Sequence, residues 1–102
     1  MSEKRRSQRI SQNITIQLVG MQPGASSAVA QQARTIEVSQ EGAMIECRSK
    51  FEPGAEVMIH NPKNLQNGFF KVIRAKLSPT GSAWNVAVEL QEPGEGDFWG
   101  LG

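Results

Sequence analysis

Apolar residues in this chain recur mostly at every second position. From Asn13 to Val19, Ile14, Ile16 and Leu18 share one face while Thr15 and Gln17 take the other, which is the alternation of a half-buried strand. Val29 to Val38 is less regular, yet Ala33, Thr35 and the Ile36/Val38 pair predict a second strand running into the polar turn Ser39-Gln40-Glu41-Gly42. Within that turn, Ser39 is expected to hydrogen-bond nearby backbone and Gly42 to supply a positive φ that a residue with a Cβ resists. Strands follow at Ala43 to Cys47, at Glu56 to His60 with Val57 and Ile59 together, at Phe69 to Leu77, and at Ala83 to Leu90 with Trp84, Val86, Val88 and Leu90 on one face. The change of phase at Val72-Ile73 predicts a β-bulge. Gly20 to Ser27, Pro53-Gly54, Asn61-Pro62 to Asn67-Gly68, and Ser78-Pro79-Thr80-Gly81 read as the loops and turns between them. Ala25 to Ala33, rich in Ala and Gln, is the nearest approach to a helical segment.

Six short strands separated by Gly, Pro and Asn turns predict an all-β fold, a small antiparallel barrel or sandwich. At 102 residues the chain reads as one domain with one modest core. Residues 1–12 form a basic arm with little apolar content, expected to be flexible in isolation because nothing in it offsets its ordering entropy. Residues 13–92 form the barrel, and 93–102 a tail whose Phe98, Trp99 and Leu101 are too apolar to stay in water. That tail is expected to pack back over the open end of the barrel or to present a surface to a partner.

Charge sharpens this picture. The net charge is only +1, which argues against bulk nucleic-acid binding. Its distribution is polarised: Lys4, Arg5, Arg6 and Arg9 cluster in the arm, while Glu89, Glu92, Glu95 and Asp97 lie near the other end. No apolar run approaches the ~20 residues of a membrane helix, and no apolar core follows the basic N-terminus as in a secretory signal. No membrane insertion and a cytoplasmic location are expected.

Catalysis finds little support. His60 is the only histidine, tyrosine is absent, and no nucleophile and base stand at a recognisable spacing. The single cysteine, Cys47, excludes an internal disulfide or a thiolate metal cluster, and its apolar surroundings suit a small buried side chain. Ser39 lacks the G-x-S-x-G pattern of a nucleophile elbow. No catalytic residue, metal ligand or cofactor is assigned. The arm is better suited to binding, since each guanidinium of Arg5, Arg6 and Arg9 presents a fork that matches phosphate oxygens or the O6/N7 edge of guanine. Each charge-assisted bond contributes about 1.5–3 kcal/mol. Ordering five residues costs roughly 5–10 kcal/mol, so several bonds must form together.

Arg5-x-x-x-Arg9, followed about 30 residues later by Glu37-x-Ser39-x-x-Gly42 at a strand end, resembles the PilZ domain, a bacterial receptor for cyclic di-GMP. That family carries RxxxR and (D/N)xSxxG on a small six-stranded antiparallel barrel of the Greek-key, split-barrel type. The resemblance extends to Trp84-Asn85-Val86-Ala87-Val88-Glu89-Leu90 as its last barrel strand. It implies that Arg5 and Arg9 grip phosphates and guanine edges, that Ser39 meets a phosphate oxygen or the turn backbone, and that Gly42 serves the turn. Arg6 is auxiliary. Glu37 departs from the family's Asp or Asn. Its carboxylate can still accept from guanine N1 and N2, but it is one methylene longer and competes for Arg5 or Arg9 as an internal ion pair. The implied function is a cyclic di-GMP receptor or adaptor whose arm orders over the ligand and signals to an effector protein. The alternatives are a protein-interaction module of the same fold without nucleotide binding, and a small barrel that binds single-stranded nucleic acid through its arm.

Overall fold

The computed structural model describes residues 9–91 and 98–100. These contain seven strands and no helix: β1 (Ile10–Ser11), β2 (Thr15–Met21), β3 (Val29–Ser39), β4 (Gly42–Cys47), β5 (Glu56–Asn61), β6 (Gln66–Leu77) and β7 (Trp84–Leu90). All pairings are antiparallel and the order is β1-β3-β2-β5-β6-β7-β4, with β3 also pairing β4. That last pairing closes the sheet into the six-stranded barrel expected from the strand count. β1 is an extra strand outside the closed ring, so Ile10 and Ser11, expected to be flexible, are paired instead, with Ile10 opposite Val38 and Ser11 opposite Glu37.

The helical tendency of Ala25 to Ala33 is overridden by strand pairing. Val29 onward belongs to β3, whose first half pairs β2 from Val29↔Gly20 to Arg34↔Thr15. Its irregular apolar pattern also has a structural cause. A bulge between Thr35 and Glu37 inserts one residue against β4, so that Ala33, Thr35 and Val38 all face inward despite their uneven spacing. The bulge expected in β6 lies between Val72 and Arg74.

The core is the inner lining of the barrel, with Ile16, Leu18, Ile45, Phe51, Val57, Ile59, Phe70, Val72 and Val86 almost fully buried. Thr35 is the polar member of this lining and is fully satisfied. Its Oγ1 accepts from Ile14 N (2.8 Å) and donates to Gln12 O (2.5 Å), which ties the β1–β2 connection to β3. Phe98 and Trp99 are buried, so this part of the tail packs onto the barrel and these two rings are not available as an exposed partner surface, while Leu101 lies outside the described residues. Phe98 meets Phe70 edge-on with centroids 5.3 Å apart, and its carbonyl accepts from the side-chain amides of Asn61 and Asn64.

Gly20, the next-to-last residue of β2, leaves the space that Phe51 fills: an added Cβ would lie 2.5 Å from Phe51 Cε1. Because Phe51 is wholly enclosed, its ring has nowhere to retreat. Gly20→Ala should therefore lower unfolding free energy by about 1–3 kcal/mol, read by urea denaturation.

Candidate functional site

The β3–β4 hairpin closes through the two-residue loop Gln40-Glu41, with Ser39 opposite Gly42. Neither loop residue has positive φ, and neither does Gly42, so the expectation of a left-handed glycine is corrected. Gly42 is required for another reason. It begins β4 directly against β7, where a Cβ would collide with the carbonyl oxygen of Val88. A side chain here would push apart the pairing on which barrel closure depends. The Gly42 carbonyl in turn accepts the indole N–H of Trp99 at 3.1 Å, while the Ser39 hydroxyl stands at the longer distance of 3.5 Å. The tail therefore braces the same turn that presents Ser39.

A cavity of about 280 Å³ opens on the outer wall beside this turn, lined by Arg9, Glu37, Ser39, Gly42, Met44, Ala87, Ile73 and Arg74 among others. This volume is close to the lower end of the ~300–1,000 Å³ typical of small-molecule sites. Arg9, Glu37, Ser39 and Gly42, singled out from the sequence, come together here. Arg5 and Arg6 lie outside the described residues. The Arg9 guanidinium stands 3.7 Å from the Glu37 carboxylate, and both side chains are substantially exposed. Such a solvated pair contributes less than about 1 kcal/mol, so a ligand can exchange it for its own contacts.

Sequence reasoning missed the floor and far side of the cavity. Glu37 is opposite Met44, Met44 opposite Ala87, and Ala87 opposite Arg74, so one cross-strand row runs over β3, β4, β7 and β6. The row begins at one bulge and ends at the other. It sets the backbone positions of Glu37 and Arg74 about 14 Å apart along the sheet, at roughly 4.8 Å per strand spacing, with Met44 and Ala87 as an apolar middle. The phase shift at Val72-Ile73 was the available signal for the far side. It flagged the bulge, but nothing in the sequence paired Arg74 with Glu37 across two intervening strands.

The remaining reactive side chains lie elsewhere. His60 Nδ1 is 2.8 Å from Asn67 Oδ1 on the neighbouring strand, and neither residue lines the cavity. Among the described residues, no group of three or more His, Cys, Asp and Glu side chains is placed to hold a metal, and no helix is long and apolar enough to cross a membrane. Cys47 is buried, and burial pushes its thiol up to about 11; its S–H donates to the Ser49 carbonyl at 3.3 Å. The native thiol keeps its proton after the unfolded chain has begun to lose its own, so stability should fall as pH rises through about 9 towards about 11. At pH 8, iodoacetamide should label the native chain far more slowly than the urea-unfolded chain, with adduct formation followed by mass spectrometry.

In comparisons with known proteins, no family model matches this chain and no curated protein matches its sequence.

Proposed function

We propose that this protein is a non-catalytic receptor for cyclic di-GMP of the PilZ kind, acting in the cytoplasm through an effector protein. The observation that carries this reading is the convergence of Arg9, Glu37, Ser39 and Gly42 on one cavity of a closed six-stranded barrel. Residues from the RxxxR and (D/N)xSxxG-like stretches are far apart in sequence, and β1 brings them together by running along the end of β3. In this reading, Glu37 accepts from guanine N1 and N2, Ser39 meets a phosphate oxygen, and Arg9 leaves Glu37 to hold phosphate or a guanine edge. Arg5 and the auxiliary Arg6 add charge from the arm. That addition matters because, among the described residues, the cavity wall carries Glu37 and Glu89 as well as Glu41 beside Arg9 and Arg74, and a ligand with two phosphates calls for further positive charge. Ordering of the arm over the ligand is the output.

The Arg9–Glu37 ion pair also favours a second reading. If the pair satisfies the site internally, the barrel acts as a protein-interaction module without nucleotide. Calorimetric titration of cyclic di-GMP into the wild-type chain and into Arg5→Ala and Arg9→Ala decides between them. Binding at micromolar affinity or tighter, lost in both variants, is the expected result. A folded wild-type chain that gives no heat would sink the receptor reading in favour of the interaction module, and binding regained in Glu37→Asp would show that one methylene separates the two.

A further inference from the structure

Arg74 has no carboxylate within ion-pair distance among the described residues, unlike Arg9, which pairs Glu37 in the same cavity; Arg48, Lys63, Lys71 and Lys76 also lack an ion pair among the described residues, but none of them lines this cavity. The position of Arg74 is set by the backbone. Val72 is buried, and the bulge that follows turns both Ile73 and Arg74 to the outside, where regular alternation would have sent one of them inward. Both line the cavity, and Arg74 stands opposite Ala87, whose methyl group leaves the wall low between Arg74 and Met44.

We infer that Arg74 is a second anchor of this site and holds a phosphate of the bound nucleotide, at the end of the cross-strand row opposite Glu37. The inference rests on the receptor reading and names a ligand contact that the sequence motifs do not contain. The chemistry follows the order of groups along the row. A guanine whose N1 and N2 donors face Glu37 lies with its flat, weakly polar ring over Met44 and Ala87. Its sugar and phosphate then point towards β6, where a guanidinium supplies charge-assisted donors. Two bulges in two different strands thus aim an acceptor and a donor at the two ends of one nucleotide. Since carboxylates share the cavity wall, an unpaired guanidinium on β6 also offsets charge that would otherwise repel the phosphate.

The test compares cyclic di-GMP affinity, by calorimetry at fixed salt, in the wild-type chain, Arg74→Ala and Arg74→Lys. Thermal unfolding of each serves as the folding control. Arg74 is exposed, so unfolding midpoints should not move. Arg74→Ala should weaken binding at least tenfold, and Arg74→Lys should recover most of that loss, because an ammonium can replace a guanidinium on a phosphate as a point charge. Wild-type binding with Arg74→Ala within twofold would overturn this inference and leave the receptor reading standing. A loss in Arg74→Ala that Arg74→Lys does not recover would still support the anchor, and would show that the contact uses the planar two-pronged fork rather than charge alone. No binding by the wild-type chain would remove the receptor reading and this inference together.

Discussion

Closure of the barrel depends on β3, the strand that must satisfy three neighbours at once. Its eleven residues pair β2 along the first half, β4 along the second, and β1 near the end. A strand that changes partners midway has to turn through the wall, and a regular period-two strand would carry one of its halves out of phase with the core. The bulge at Thr35–Glu37 resolves this by adding one residue at the change of partner. Thr35 sits at that point with its hydroxyl satisfied from both sides by the Gln12–Ile14 connection, so this buried hydroxyl is not orphaned, although Gln12 Oε1 in the same connection is buried without a hydrogen-bond partner.

The same irregularity that lets the barrel close creates the site. Past the bulge, Glu37 is set on the outer wall while Val38 returns to the core, and the hairpin brings Ser39 and Gly42 beside it. On the far side, the β6 bulge does the same for Arg74. Bulges commonly re-aim side chains at binding sites because they free a residue from strict alternation. Here they flank a row whose middle is the regular β4–β7 pairing, and that pairing is held close by the missing side chain of Gly42. The docked tail adds a further constraint. Trp99 donates to the carbonyl of Gly42 from within the packed Phe70–Phe98–Trp99 cluster, so the turn rests on the tail as well as on β7.

Most of the fold could be read directly from alternation. Ile14, Ile16 and Leu18, Val57 and Ile59, and Val86 and Val88 are each buried as their spacing predicts, because one face of each strand must leave water. The phase break at Val72-Ile73 was visible for the same reason, while the one in β3 was blurred by Ala and Thr, which carry little hydropathy contrast. The Ala/Gln tendency of Ala25 to Ala33 was local, and it yielded to strand pairing that only a distant partner could provide.

For the site, the sequence by itself determined the chemical types on the near side: guanidinium, carboxylate, hydroxyl and a glycine in fixed order around a turn. Tertiary structure decided which of them meet, and why the glycine is there. Arg9 reaches Glu37 only because β1 lies against β3, and Gly42 is required by a β7 carbonyl more than forty positions away rather than by its own φ. Arg74 joins the row through two intervening strands, and Trp99 reaches the turn from the tail. Such contacts depend on register between strands distant in the chain, and register is a property of the closed sheet that no single segment encodes.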